Sequence, residues 1–345
     1  MKKNYLDIID PIHDFIRVYD YELPIIDSPL FQRLRRIKQL SGAHLTYPAA
    51  QHSRFEHSLG VMHIATEAGF SLNEKGFLNS DDVQILRLAS LLHDIGHGPF
   101  SHLFEEVIQE KKISHEDYGK KIILNSEIGD ILAKTGFNKK LVTQIAFGES
   151  KFQYLNEIVS GALSADMMDY LLRDGYFTGA EHAKVDHKRI TQSLSVHKKK
   201  IALERSALYS FESMMHSRYQ MFKAVYFHKT VRAAEVMLIQ ALRLSDDEFG
   251  FTSFDLDEYV KLTDEFVLSS LISSKSPKLK QAKQLAEDYQ NRKLLKCVFE
   301  RILTSQTNLK KTRTDELRLE ISKKSKINEN EIFVDSSVTP SIPLA

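Results

Sequence analysis

Long stretches of this chain carry apolar side chains three and four positions apart with hardly a break, since only 14 Gly and 8 Pro punctuate 345 residues. That spacing buries one face of a helix at each turn, so a mostly α fold is predicted. Ile85, Leu88, Ala89, Leu91 and Leu92 form a segment apolar enough to lie deep in a core, stopping near Gly96 and Pro99. Further helices are expected from about Asn156 to Asp174 and from about Ala207 to Leu242. Strand signals are brief. Residues 7–11 and 15–18 can pair as a short ribbon, residues 196–202 read as a solvated turn beside a strand, and residues 331–334 resemble a terminal strand. Residues 273–277 mark a break, and the lysine-rich tract from Lys310 to Lys326 reads as an exposed helix face. A softer boundary near residue 245 divides a core (residues 1–245) from a smaller C-terminal accessory α+β region (residues 246–345). There, Phe251, Phe254, Leu256, Tyr259 and Val260 are expected as core or contact positions.

Charge and cysteine content narrow the function classes. Lys and Arg number 47 against 46 Asp and Glu, so there is no global field to attract nucleic acid or an anionic membrane, and any anion site must be local. Cys297 stands alone, which excludes an internal disulfide and thiolate-rich zinc or iron–sulfur sites and fits a reducing compartment. The first residues are polar, and about 18 apolar residues nowhere run together, so neither a signal peptide nor a membrane span is visible. A cytoplasmic protein is expected.

Metal-binding side chains concentrate in three segments, Arg54-Phe55-Glu56-His57, the stretch from His93 to His102, and Asp166-Met167-Met168-Asp169-Tyr170 through Asp174. Adjacent His93 and Asp94 at the end of an apolar helix place two costly polar groups where burial demands a strong partner, and a cation supplies one. Asp166, Tyr170 and Asp174 lie four apart and share one helix face. Arg218, Phe222, Tyr226 and Lys229 form a second row at intervals of four, four and three.

With these strings the sequence resembles the HD-domain phosphohydrolases, which hold a metal through a His, an adjacent His-Asp pair and a distant Asp. The resemblance is closest to the dNTP triphosphohydrolase branch, through residues 27–35, Arg54-Phe55-Glu56-His57 and residues 93–102, and it covers roughly the first 230 residues. It implies an HD-type helical core and the ligand set His57, His93, Asp94 and Asp166. Two imidazoles and two carboxylates suit manganese, iron, nickel, cobalt or zinc, while Mg²⁺ can enter with the nucleotide. The resemblance assigns phosphate-holding or proton-transferring roles to His97, His102 and His115. His102 is the first candidate for general acid, and Glu105 and Glu116 either orient these rings or face solvent. It further implies that Tyr170 and Asp174 contact deoxyribose, that Gln39 and Leu40 press on the sugar's other side, that Arg54 and Arg218 bind phosphate, and that Tyr226 crowds C2′.

Two positions depart from the vertebrate branch, Met167 in place of a Lys and Phe222 in place of a His, removing one cation and one imidazole from the phosphate side. Asp27, Gln32 and Arg35 match positions that grip guanine at an activator site between subunits. The same residues also read as a helix amino terminus, with Asp27 and Ser28 near the cap, Pro29 in the first turn and Arg33, Arg35 and Arg36 outward. The resemblance implies homodimers or homotetramers, a nucleotide substrate and guanine-nucleotide activation. The expected activity is hydrolysis of a dNTP to deoxynucleoside and tripolyphosphate. Alternatives are an HD phosphatase or phosphodiesterase on other nucleotides, and a guanine-nucleotide-sensing oligomer with residual catalysis.

Overall fold

A computed structural model describes residues 4–108, 112–300 and 311–335. The chain opens with an antiparallel hairpin, β1 (Tyr5–Asp10) and β2 (Asp14–Tyr19), in the register Asp10↔Asp14 and Tyr5↔Tyr19. Ile16 and Val18 point from it into the core. Two short helices follow, α1 (Leu23–Ile26) and α2 (Pro29–Gln32), then the long α3 (Arg54–Glu74) and α4 (Ser80–Leu92). Beyond them come α5 (His102–Ile108), α6 (His115–Asn125), α7 (Glu127–Lys134), α8 (Lys139–Ala146), α9 (Gln153–Val159), α10 (Ala165–Thr178) and α11 (His187–Gln192). A second hairpin, β3 (Leu194–His197) with β4 (Lys200–Leu203), precedes α12 (Leu208–Met221) and α13 (Lys229–Phe249). The C-terminal part adds α14 (Leu256–Tyr259), α15 (Asp264–Ser273), α16 (Lys280–Gln290) and α17 (Lys311–Ser325). Among the described residues the fold is mostly α, with two small antiparallel hairpins.

The centre of the fold is α3, buried on nearly every side, a pattern expected of a helix enclosed by others rather than lying on a surface. Leu88, Ala89, Leu91 and Leu92 of α4 have no exposed surface, as their spacing predicts. A second apolar cluster joins Phe100, Phe104 and Tyr118 to α13, α15 and α16, with Phe251 and Tyr259 buried in it.

Both long helices expected downstream are interrupted. The segment from Asn156 to Asp174 is two helices, because the chain turns tightly at Gly161, where an added Cβ would sit 2.8 Å from the Glu157 carbonyl, and Ser164 caps α10 anew. The segment from Ala207 to Leu242 ends its first helix in a π turn over Phe222–Tyr226 and restarts at Lys229, capped by His228. No Gly or Pro announces this break. The Ala224 carbonyl accepts from the Tyr47 hydroxyl and Tyr226 donates to Asp174, so tertiary partners draw the turn out of helical register. Lys229 therefore lies past the break and is exposed, off the row that holds Arg218, Phe222 and Tyr226. Residues 331–334 form no strand: a 3₁₀ turn over Glu329–Glu331 leads into irregular chain, and Phe333 packs on the second apolar cluster instead of pairing. The point near residue 245 falls inside α13, and α17 occupies most of the lysine-rich tract.

Arg33, expected outward beside Arg35 and Arg36, is buried with 1% of its surface exposed. Its guanidinium donates to the carbonyls of Leu262 (3.1 Å), Ile95 (3.4 Å) and His97 (2.6 Å), tying the loop after α4 to the C-terminal region. The reason is local: a 3₁₀ turn over Arg33–Arg36 rotates the first Arg inward and leaves the other two in solvent. Replacing Arg33 by Met leaves those carbonyls without a charged donor and is expected to cost about 3 kcal/mol in urea-induced unfolding. A change below about 1 kcal/mol would show that the clamp carries no stability.

Candidate metal centre

Three separate elements deliver the predicted ligands to one place. His57 lies in the first turns of α3, whose start is fixed by a capping box between Ser53 and Glu56; His93 and Asp94 follow the last turn of α4; Asp166 sits in the first turn of α10. His57 Nε2 is 3.2 Å from Asp166 Oδ1 and 3.6 Å from Asp94 Oδ2, and His93 Nε2 is 3.3 Å from Asp94 Oδ1 and 3.8 Å from Asp166 Oδ1. Both Nε2 atoms are buried and have no hydrogen-bond partner.

The opposite ring nitrogens explain which way those lone pairs point. His93 Nδ1 is 2.8 Å from the Ser90 carbonyl and His57 Nδ1 is 2.8 Å from Asp169 Oδ2, acceptors that can only receive a proton. Each Nδ1 is therefore an N–H, which leaves Nε2 as the atom that a metal, or in its place a second proton, takes up. Burial disfavours a charged imidazole at both positions, yet Asp166 and Asp169 beside His57, and Asp94 and Asp166 beside His93, lift both rings, His57 to about 10. Burial likewise raises a carboxyl, but Arg54 and His93 beside Asp94, and His57 and His93 beside Asp166, hold both acids well below the usual carboxylate range. The cluster is thus built around positive charge, and a divalent cation fits its donor set of two imidazoles and two carboxylates.

The positioning carboxylate, Asp169, has no exposed surface. Arg173 donates to it twice, from Nε (2.9 Å) and Nη2 (3.0 Å), and His13 Nε2 lies 2.6 Å from its Oδ1. Gly60 makes the contact possible, since a Cβ there would lie 1.9 Å from Asp169 Oδ1. Arg173 continues to Asp10 Oδ2 (2.9 Å), and Asp10 Oδ1 accepts from the backbone of Ile12 and His13, fixing the hairpin turn that carries His13. Asp169, His13 and Arg173 were not singled out as site residues from the sequence. The available signal was the four-residue interval between Asp169 and Arg173 on the helix that bears Asp166.

Next to the cluster, His97, His102 and His115 bring ring nitrogens within 4.8 Å of one another. His97 stacks on His115 with centroids 4.0 Å apart, and its Nε2 is 3.3 Å from Asp94 Oδ1. Burial, with Arg54 and His115 nearby, pushes His97 well below the ordinary imidazole range, so it is neutral. Glu105 spans the other two rings, 2.7 Å from His115 Nδ1 and 3.2 Å from His102 Nδ1, while Glu116 is exposed. Burial raises the Glu105 carboxyl, but its bonds to His102 and His115 lower it far more, so it is ionised and fixes both rings with Nδ1–H inward. The loop between them is strained, with Phe100 and Ser101 at φ of 58° and 55°. Asp264 accepts from the Phe100 amide (2.7 Å) and Ser101 Oγ donates to the Lys38 carbonyl (2.7 Å), which holds it so.

A cleft of about 430 Å³ opens from Asp166 past Ser164, Met167 and Tyr170 to Arg218, and Gly161 in the break before α10 forms part of its wall. Arg218 lies over the Phe222 ring at 5.6 Å, and its Nε has no partner. Asp174 is buried and binds His52 Nε2 (2.8 Å) and the Tyr226 hydroxyl (2.7 Å), and the rings of Tyr170 and Tyr226 meet edge-on at 6.5 Å. His52 is a further residue the sequence reading missed. Gln39 Oε1 is buried without a partner, Leu40 is half-buried, and Arg54 is engaged by Asp94 and by Ser101 Oγ (2.7 Å). Among the expected activator residues, Gln32 Oε1 accepts from Arg35 Nε (2.8 Å), and Arg35 stacks on Phe55 at 3.5 Å. Asp27 is exposed at the end of α1, and Ser28 rather than Asp27 caps α2.

Residues 54–174 match the HD domain and residues 185–344 the HD associated region. An uncharacterized protein of Bacillus subtilis, YwfO, is 37% identical over 75% of this chain and 64% of its own length. The human deoxynucleoside triphosphate triphosphohydrolase SAMHD1 is 31% identical over 91% of this chain and 58% of its own. The chain spans 49% to 64% of the length of the first curated relatives it matches. Among solved structures, a hypothetical protein of Aquifex aeolicus aligns with a TM-score of 0.76 at 36% identity, over 92% of this chain and 82% of that one. A phosphohydrolase of Bacteroides thetaiotaomicron aligns with a TM-score of 0.77 at 31% identity, over 95% of this chain and 85% of that one. No helix among the described residues is long and apolar enough to cross a membrane.

Asp169→Asn removes the negative charge and one of the two acceptor oxygens that hold His57 and His13, and is expected to weaken Mn²⁺ binding by about 10–100-fold in a calorimetric titration. Affinity equal to the unmodified protein's would contradict the positioning role.

Proposed function

The chain belongs to the HD-domain phosphohydrolases, and on that premise we propose that this hydrolase is a metal-dependent deoxynucleoside triphosphate triphosphohydrolase. The observation that carries the reading is the pair of buried, unpartnered Nε2 atoms of His57 and His93 facing Asp94 and Asp166, with Asp166 and Arg218 lining one cleft. These four residues would hold one divalent transition metal, and Mg²⁺ can accompany the nucleotide. When bound, such an ion polarises a phosphoryl oxygen and lowers the pKa of a water.

The chain's own groups supply the rest. Water oxygen bonds to the α-phosphorus, the bond from that phosphorus to the 5′-oxygen breaks, and the departing oxygen takes a proton. His102, oriented by Glu105 through Nδ1–H and protonated on its outward Nε2 as well, donates that proton, and the proton released by the attacking water restores the ring, with His115 and His97 beside it for phosphate contact. Arg218 and Arg54 offset the charge that develops on the phosphate oxygens. Tyr170, Asp174, Gln39 and Leu40 would contact the sugar, and Tyr226, held by its bond to Asp174, would crowd a 2′-hydroxyl. Met167 lines the cleft with an apolar side chain, which favours as second reading an HD phosphatase or phosphodiesterase on less highly charged nucleotides.

A product assay over all dNTPs and NTPs separates them. With Mn²⁺ and dGTP, inorganic tripolyphosphate is expected, and His93→Ala/Asp94→Ala abolishes it. Orthophosphate as the product would favour the second reading and reject the first. Guanine-nucleotide activation at Asp27, Gln32 and Arg35, in a homodimer or homotetramer, belongs to the same proposal. Arg35→Ala then abolishes stimulation by added GTP while bound metal is unchanged. Equal rates with and without GTP in the unmodified protein reject it.

A further inference from the structure

Gln39 and Asp174, both proposed to contact the sugar, meet at one residue that the reaction described above does not use. His52 immediately precedes the cap of α3, and its side chain has no exposed surface. Residues 37–39 run antiparallel to residues 52–54: Lys38 bridges Ser53, the Arg54 amide donates to the Ile37 carbonyl (2.9 Å), and the Gln39 amide donates to the His52 carbonyl (3.1 Å). The main chain of His52 thus fixes where Gln39 stands. Its ring reaches across to α10, where Nε2 lies 2.8 Å from Asp174 Oδ1 and the ring stacks on Phe177, centroids 4.7 Å apart and planes 16° apart.

A carboxylate oxygen can only accept, so His52 Nε2 is an N–H. The other oxygen of Asp174, Oδ2, accepts from the Tyr226 hydroxyl at 2.7 Å. Asp174 is therefore gripped by a donor at each oxygen, and with 2% of its surface exposed it has no water to turn toward. With Tyr226 alone, the carboxylate could rotate about the bond that carries it; the second donor stops that rotation. Of the roughly four lone pairs a carboxylate offers, those left over are held in a fixed direction. They sit one helical turn beyond Tyr170, which lines the cleft. An apolar side chain would fill the space under Phe177 at less cost, because His52 Nδ1 is buried without a partner. What the imidazole secures in return is the direction of Asp174.

We propose that His52 is a positioning residue for the sugar: it aims the uncommitted lone pairs of Asp174 at a hydroxyl of the substrate and sets their separation from Gln39. The inference rests on the triphosphohydrolase reading and deepens it. A 2′-deoxynucleoside triphosphate carries one free sugar hydroxyl, at C3′, so the selectivity that His52 confers is for a 3′-hydroxyl. An O–H group there donates to Asp174, whereas a 2′,3′-dideoxynucleotide presents C–H and leaves the lone pair desolvated and unpaired.

The test compares kcat/KM for dGTP and for 2′,3′-dideoxyGTP, followed by release of tripolyphosphate with Mn²⁺. The unmodified protein is expected to favour dGTP by about tenfold or more. His52→Asn, whose amide is too short to reach Asp174, is expected to collapse that preference by loss with dGTP and little change with the dideoxynucleotide. His52→Gln, whose amide reaches the place of Nε2, retains most of it. Equal efficiency for both nucleotides in the unmodified protein overturns the inference without any variant. So does an Asn variant, folded by circular dichroism, that keeps the full preference or loses both substrates alike, as mere loss of packing would. Absence of tripolyphosphate from both nucleotides would refute the triphosphohydrolase reading and this inference with it, whereas release from both at equal efficiency would leave that reading standing and remove this one.

Discussion

One buried carboxylate organises this molecule. Asp169 is held in place by Arg173 of its own helix and by the close approach of α3 at Gly60, and its two oxygens orient His57 and His13. An ionised group without solvent is tolerable only when fully paired, and here a guanidinium and two imidazole N–H groups satisfy it. The same pairing leaves the far nitrogen of each imidazole uncommitted, so the requirement of electrostatic satisfaction in the core sets up the chemistry at its edge. Arg173 then ties the arrangement to Asp10 and the N-terminal hairpin.

A second constraint acts on the loop from His93 to Ser101. Two consecutive residues, Phe100 and Ser101, are held at positive φ, a conformation that persists only when its surroundings enforce it. Arg33 grips the Ile95 and His97 carbonyls, Tyr259 donates to the Gly96 carbonyl at 2.7 Å, and Asp264 binds the Phe100 amide. Burial raises Asp264 to about 6, even though the Lys38 and Phe100 amides donate to it. Tyr259 and Asp264 lie beyond residue 245, so the region that composition described only as accessory supplies part of the frame of the His-Asp loop.

The sequence made the helical class and the four candidate ligands legible, and for different reasons. Apolar spacing is local, and the burial of α4 could be read from Leu88 to Leu92. The ligands were legible because a His-Asp pair at the end of such a helix has few other uses, and because the surrounding strings match a family. The break between α12 and α13 was hidden, because Tyr47 and Asp174, remote in sequence, cause it. Arg33 was misplaced for the same reason: nothing local distinguishes it from Arg35 and Arg36 until Leu262 and His97 are seen beside it. Asp169, His13 and His52 act through partners 112, 156 and 122 positions away, a distance that periodicity does not span.

The central claim is that His57, His93, Asp94 and Asp166 converge on a single cation. Diffraction at the manganese absorption edge from crystals grown with Mn²⁺ tests it most directly. One anomalous peak within coordinating distance of all four side chains is the predicted result. A peak bounded instead by His97, His102 and His115, with none between His57 and Asp166, would contradict the account.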